Sequence, residues 1–410
     1  MELAIEPILI AVRRFFGQFI KQPGRTIVME YSSNIWKFYL YTCIGSLEFV
    51  VSVFVLFMLA NNLSMTEVMI LESLFIIAVF VLEVPSGGFA DRLGRKRSLM
   101  ISSLFACVSF VVFGLGSNFW VFLAAQILLS GAWAFASGAD SALIYDSLKE
   151  SGRERESGKV LGRMRSIQMF TLGIMGLVSG YLGKFIDYRM LFFLTSISFF
   201  MGFLIALTFK EPPMHKHLQE KNYFRHLWGA IRFSLTHRWI RTLVIYYGVL
   251  AGIVHLTFFL IQPFFPSDYV GFATMFFFTC AGAGLLAAEH FFWVRKTWLM
   301  TLMLAVPAIA YVLMYYSGAV IAIALLSIIA FVSGVKQIFA EKSIHEHTES
   351  HHRATVISVQ SMSKSVVYAV FAPLIGLVTD IYSPGAAFFM MGLGLFAFLI
   401  VFLLVIKKNK

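Results

Sequence analysis

Glu48, Asp140, His255, Lys336 and Lys364 each interrupt an otherwise apolar stretch of this 410-residue chain. An ionisable group in an apolar medium costs about 2.5 to 3.5 kcal/mol or more unless it is paired or wet. Groups kept there against that cost are candidates for holding a charged ligand or passing protons. Glu48 and Lys364 stand about 11 residues, roughly 16 Å, inside their stretches and are the first choices. Whether the two pair with each other stays open. Asp140 and Lys336 have opposite signs and occupy matching places in two similar sequences, which suggests an ion pair between two halves or the floor of a charged cavity. His255 could carry protons near neutral pH, although a hydrogen-bonded structural histidine is the more ordinary reading. Asp146 lies closer to the end of its stretch and reads as a cap or loop anchor. Glu72, Glu83 and Glu289 with His290 are weaker candidates, because each could lie near a helix end or snorkel.

Other chemistry finds little support. His345-Glu346-His347 followed by His351-His352 invites a metal ion, but it sits in a polar connection where a solvated or helix-capping loop is the ordinary reading, so no metal site is assigned. Cys43, Cys107 and Cys280 lie in apolar runs without paired metal spacing, and neither a disulfide nor a zinc site is expected. There is no nucleophile elbow, phosphate loop or paired metal motif, so the chain is not read as an enzyme and no cofactor is expected.

The elements that must position these residues are membrane helices. Apolar residues make up 59% of the chain and charged residues 13%, which excludes a soluble globular class. A bilayer core about 30 Å thick needs roughly 20 apolar residues per helix, so this length accommodates about 12 transmembrane helices and no sizeable soluble domain. The apolar runs place them near 37 to 60, 66 to 88, 97 to 116, 119 to 147, 161 to 183, 188 to 209, 239 to 263, 267 to 292, 297 to 316, 318 to 341, 354 to 380 and 384 to 406. The formal charge of +11 would raise nucleic-acid binding in a soluble protein. Here the basic residues fall in alternate connections, at Arg92 to Arg97, Lys149 to Lys159, Lys210 to Arg238, Arg295 to Lys296 and Lys342 to Arg353, and no nucleic acid is needed to explain them. By the positive-inside rule both termini are cytoplasmic, with Lys184 and Arg189 the exceptions.

Ile8, Val12, Phe15 and Phe19 share one helical face and Arg13, Arg14, Gln18 and Lys21 the other, so residues 1–36 read as a cytoplasmic segment with an interfacial helix rather than a signal peptide. Residues 37–209 and 239–406 are then two six-helix bundles, followed by a short tail, 407–410. The polar stretch 210–238 joins them as a cytoplasmic linker, where Phe224, Leu227, Trp228, Ile231 and Leu235 form a second apolar stripe. The halves carry traces of a repeat. Arg95-Lys96-Arg97-Ser98-Leu99-Met100 answers Arg295-Lys296-Thr297-Trp298-Leu299-Met300, and Phe135-Ala136-Ser137-Gly138-Ala139-Asp140 answers Phe331-Val332-Ser333-Gly334-Val335-Lys336.

Between the second and third helices, Gly87 to Arg97 reads GGFADRLGRKR. Gly87, Gly88 and Gly94 suit a tight turn and close helix approach, and Asp91 is a carboxylate near the membrane surface that requires partners. Position and pattern resemble the cytoplasmic signature loop of the major facilitator superfamily. Glu83-Val84-Pro85-Ser86-Gly87, Ser137 to Asp140 running on to Tyr145-Asp146-Ser147-Leu148, and Arg353-Ala354-Thr355 look like a bacterial branch often grouped with drug exporters. The resemblance implies two pseudo-symmetric six-helix bundles. It also implies a latch built from Gly87, Asp91, Arg92, Gly94, Arg95 and Lys96, with Asp91 facing a helix N-terminus of the other half near Arg353 to Thr355. Two departures weaken proton-driven export: Gln126 to Gly131 lacks the arginine of the family's fourth-helix motif, and Gly173 to Gly183 lacks the proline of the antiporter signature.

The expectation is a monomeric secondary transporter of the bacterial cytoplasmic membrane. It would move a small amphipathic organic molecule by alternating access, outward, with protons as a possible coupling ion. The 44 Phe suit an apolar cavity, though lipid-facing packing uses Phe as well. Uptake of a small anionic or chelated nutrient, with Lys336 and Lys364 as ligands, is one alternative. A membrane sensor or scaffold that kept the fold is another.

Overall fold

The computed structural model describes residues 28–213, 232, 236–347 and 350–407. The two amphipathic stripes, Ile8 to Phe19 and Phe224 to Leu235, lie outside them. Among the described residues, helices stand at all of the expected crossings and there is no strand. The first half comprises α1 (Val28–Gly45), α2 (Phe54–Ala60), α3 (Met65–Leu93), α4 (Arg95–Leu115), α5 (Phe119–Ala136), α6 (Ala139–Glu150), α7 (Ser157–Leu182) and α8 (Tyr188–Leu207). The second comprises α9 (Arg238–Phe264), α10 (Ser267–Ala287), α11 (Lys296–Tyr316), α12 (Ala319–His347), α13 (Ser350–Ile381) and α14 (Pro384–Lys407). Ten candidate spans among the described residues are long and apolar enough to cross a membrane. Large apolar side chains such as Trp133, Ile174, Leu286, Ile321 and Leu404 stay exposed on the outside of the bundle, as a lipid solvent allows.

The helix starts follow local chemistry. Ser64 accepts from the Glu67 amide while the Glu67 carboxylate accepts from the Ser64 amide at 2.7 Å, a capping box that opens α3. Asn118 and Asp187 accept from amides of the first turns of α5 and α8.

Two expected helices are each in two pieces. The first crossing is not continuous over 37 to 60: α1 stops at Gly45, residues 46–53 form successive tight turns, and α2 resumes at Phe54. The fourth crossing, expected to run unbroken from 119 to 147, divides at Ser137–Gly138. There Gly138 takes φ +74°, a left-handed conformation that β-carbon sterics disfavour in other residues. Its repeat counterpart Gly334 lies inside the continuous α12. The other repeated pair does correspond, since α4 opens at Arg95 and α11 at Lys296.

The halves meet along α3 against α13 and α7 against α10. Most of the polar ties between them lie toward the face whose connections are poor in basic residues. Asp380 near the end of α13 accepts from the Met65 and Thr66 amides, each at 2.8 Å, and from the Thr66 hydroxyl at 2.6 Å. A carboxylate of one half thereby caps a helix of the other. Lys184 pairs with Asp268 across the same face. Arg189 donates to the Gly114 and Gly116 carbonyls, both at 2.8 Å, and to Asn61 at 3.0 Å. The two basic residues that break the charge asymmetry therefore both have structural partners. Toward the basic face the halves are tied by Arg165 and Glu341 at 3.0 Å.

Candidate functional site

A break within a membrane-spanning helix leaves backbone groups that must find partners, because lipid supplies none. In the first crossing they find them on two neighbouring helices. Ser52 donates its hydroxyl to the Gly176 carbonyl at 2.7 Å and its amide to the Ser179 hydroxyl at 3.2 Å, both on α7. Gln262 of α9 accepts from the Val55 amide at 2.7 Å and donates to the Val51 carbonyl at 3.2 Å. Gln262 is 1% exposed, so both ends of its amide are committed to the break. Because α9 belongs to the second half, the unwound segment is itself an inter-half contact. Glu48 stands inside this segment, half-buried, between Leu47 and Phe49. These two pack against an apolar cluster of Val51, Leu172 and Met175, with Phe258 and Phe278 beside them.

On the first half, Asp140 occupies the first turn of α6, immediately past the Gly138 break. A carboxylate there faces the positive end of a helix. It accepts from the Ser141 amide at 2.5 Å and has Tyr41 and Arg165 as electrostatic neighbours. The break itself is held by neighbours on α3: the Ser137 hydroxyl donates to Glu83 at 3.0 Å, and the Ser86 hydroxyl donates to the Ala134 carbonyl at 2.8 Å.

On the second half, His255 of α9 feels the charges of Lys364 of α13 and Lys336 of α12, and Lys336 feels that of Lys364. Their height follows from close helix contacts. A β-carbon at Gly252 would lie 2.8 Å from Val367 and 3.2 Å from the Lys364 carbonyl, so glycine permits α9 and α13 to touch. One turn further along each helix, the His255 and Tyr368 rings then stand 4.9 Å apart. Lys336 is 7% exposed, and Tyr368 is fully buried with its hydroxyl unpartnered. An aromatic series leads from this group to the break: Tyr368 to Phe259 at 6.2 Å, Phe259 to Phe258 at 5.0 Å and Phe258 to Phe278 at 5.5 Å.

The structure thus brings Lys336, Lys364 and His255 together and places Asp140 beside Arg165. Among the described residues no ion pair joins Glu48 to Lys364 or Asp140 to Lys336. Glu72, a weak candidate by sequence, is 4% exposed and accepts from the Gln126 amide at 2.6 Å, with Tyr368 as an electrostatic neighbour on the other half. Gln262, Ser52, Ser179 and Tyr368 were not singled out by the sequence. A glutamine deep in the apolar run Leu256 to Phe265 was the available signal for Gln262, since an amide held in lipid requires partners.

In the signature loop Arg95 pairs with Asp146 and donates to the Ala142 carbonyl at 2.9 Å. The amides of Arg95 and Lys96, opening α4, both donate to the Glu211 carboxylate at 2.8 Å. Gly94 has φ +105° and lies against that carboxylate. Gly87 and Gly88 touch nothing that a β-carbon would meet, and Arg92 is exposed. The side chains of Asp91 and of Arg353 to Thr355 lie outside the described residues, as do those of His345, His347, His351 and His352.

Residues 38–367 match the model of the family described as Major Facilitator Superfamily. The chain is 33% identical to the multidrug resistance protein MdtG of Enterobacter lignolyticus over 123 residues, 30% of this chain and 28% of that one. It is 25% identical to multidrug resistance protein 2 of Bacillus subtilis over 215 residues, 50% of this chain and 51% of that one. The matched segments therefore span between about a quarter and a half of these relatives' lengths. In fold, the crystal structure of the nucleoside transporter NupG superposes with a TM-score of 0.71 at 14% identity, covering 93% of this chain and all of that one.

Proposed function

Because the chain belongs to the Major Facilitator Superfamily, we propose that it is a transporter that exports a small amphipathic organic molecule by alternating access, binding it between the halves. One observation carries this reading: the break in the first crossing, with Glu48 in it, adjoins Phe258 and Phe278 of the second half. The same aromatic series ends at His255 and Tyr368, next to Lys364. A site of this kind offers an apolar wall and charged ends, which suits a molecule with both characters. Unwound backbone beside ionisable groups near mid-depth is how transporters of several folds bind cargo and coupling ions. Opening the site to the opposite side would require the Asp380 cap, the Gln262 bridge and the Lys184–Asp268 pair to part while contacts form at the basic face.

The likeness to multidrug resistance proteins supports export of organic compounds. The concentration of Lys and Arg in alternate connections supports placing both termini and the linker in the cytoplasm of a bacterium, with the protein in the cytoplasmic membrane. Glu48, Asp140, His255, Lys336 and Lys364 are the proposed cargo- and ion-handling residues. Everted membrane vesicles test the function: amphipathic organic compounds should accumulate inside them, and removing the pH gradient shows whether protons drive the step. Accumulation only in right-side-out vesicles would reverse the direction, and binding without movement in either would leave a sensor or scaffold as the reading.

A further inference from the structure

The second half carries a concentration of positive charge that the protein leaves unneutralised. Lys336 and Lys364 are electrostatic neighbours of one another and of His255, and among the described residues neither ammonium has a carboxylate partner. Of the acids, Asp140 is engaged at its own helix start beside Arg165 and Glu341 by Arg165; Glu72 accepts from Gln126 with Tyr368 as an electrostatic neighbour, and Glu48 stands at the other, aromatic end, beside Phe258 and Phe278. Lys336 is buried and Lys364 half-buried, and like charges that feel one another while losing hydration are unfavourable unless something supplies the opposite sign. A second and independent observation points the same way. The Tyr368 hydroxyl, one turn beyond Lys364 on α13, is fully buried and has no hydrogen-bond partner, although such a group costs free energy until it finds one. Cations and an idle hydroxyl together make a set of donors lacking an acceptor. The apolar surface beside them is aromatic, running through Phe259 and Phe258 to Phe278.

We propose that Lys336, Lys364 and the Tyr368 hydroxyl form the anion-holding end of the central site, so that the transported molecule is an organic anion whose apolar, ring-bearing body lies along Phe258 and Phe278. The proposal rests on the reading of the protein as a transporter of amphipathic organic compounds and specifies their charge. An anionic group would accept from both ammonium groups and from the hydroxyl, and hydrogen bonds between charged partners are the stronger kind. His255, against the Tyr368 ring, borders the same end without being required as a ligand.

Equilibrium dialysis of the full chain in detergent tests this with three probes that share one body: naphthalene-2-sulfonate, naphthalene-2-methanol and 2-naphthylmethylammonium. The sulfonate should bind at least about tenfold more tightly than the alcohol, the expected size of one charge-assisted interaction, and the ammonium should bind least. Lys336→Met and Lys364→Met should each remove most of that preference, lowering the sulfonate's affinity far more than the alcohol's, and Tyr368→Phe should reduce it in part. Should one lysine variant not fold, the other and Tyr368→Phe carry the test. Absence of sulfonate binding at millimolar concentration would overturn the proposal, as would equal or tighter binding of the ammonium probe or a preference surviving in the folded lysine variants. If the sulfonate preference holds but vesicles move no organic compound, the anion site stands and the transport reading falls. If vesicles move amines or neutral compounds and the sulfonate does not bind, the reverse follows.

Discussion

At the scale of single residues, the side chains that matter most are those whose partners come from another helix. Gln262 is the clearest, because its amide satisfies both a donor and an acceptor of the broken first crossing. Gln262→Leu would leave the Val55 amide and the Val51 carbonyl buried without partners, at about 1 to 3 kcal/mol each. A lowered midpoint in thermal unfolding of the detergent-solubilised protein is the expected outcome, and an unchanged midpoint would mean the break is satisfied in another way. Glu48, half-buried in the same segment, has no such scaffolding duty, since the hydrogen bonds recorded there run through Ser52, Val51 and Val55. Glu48→Gln should therefore leave expression and melting near those of the parent and cut vesicle transport by about tenfold or more, the size of one lost charged interaction. Full transport would remove Glu48 from the site.

The two broken helices are the distinguishing feature at the scale of elements, and they arise differently. Residues 46–53 remain unwound because α7 and α9 hold the freed backbone groups, whereas the fourth crossing divides at one glycine whose φ of +74° other residues adopt only with strain. A β-carbon at Gly138 would meet nothing within 4 Å, so Gly138→Ala isolates the backbone effect from crowding. It should cost about 1 to 2 kcal/mol, read as a lower unfolding midpoint, and should alter the presentation of Asp140. A neutral outcome would indicate that the division moves easily along the chain. At Gly252 the contrary holds: a larger residue would meet Val367 and the Lys364 carbonyl and push α9 from α13, so Gly252→Leu should abolish the sulfonate preference expected of the site even with both lysines intact.

For the whole molecule, the relevant quantity is the balance between conformations that open the central site to one face or the other. The recorded ties favour closure on the face poor in basic residues, where the Asp380 carboxylate caps the amides of Met65 and Thr66. Asp380→Asn keeps the shape but weakens the cap; helix caps are worth about 0.5 to 2 kcal/mol, enough to change a two-state population severalfold. Cysteine probes placed near the ends of α3 and α13 should become more reactive from that face, and unchanged reactivity would remove Asp380 from the gate. At the basic face, Asp91→Asn is expected to shift the balance in the opposite sense, more than it changes substrate choice. The exposed Arg165–Glu341 pair contributes little by itself, because exposed pairs are worth about 1 kcal/mol or less.

Hydropathy in the sequence was sufficient for the helical membrane class and the approximate bounds of most of the helices, and GGFADRLGRKR for the superfamily. These are properties of local segments against their solvent, so a linear reading reaches them. The same reading picked out Glu48, His255, Lys336 and Lys364, because an ionisable group in an apolar run is conspicuous wherever the run goes. It could not decide who faces whom. That Lys336 lies with Lys364 and His255, that Asp140 lies with Arg165, and that the first crossing unwinds around Glu48 depend on helix contacts at Gly252 and on hydrogen bonds from Gln262 and Ser179, which join residues far apart in the chain. Only packing settles such matters, since a buried polar group takes whatever partner the neighbouring helix presents.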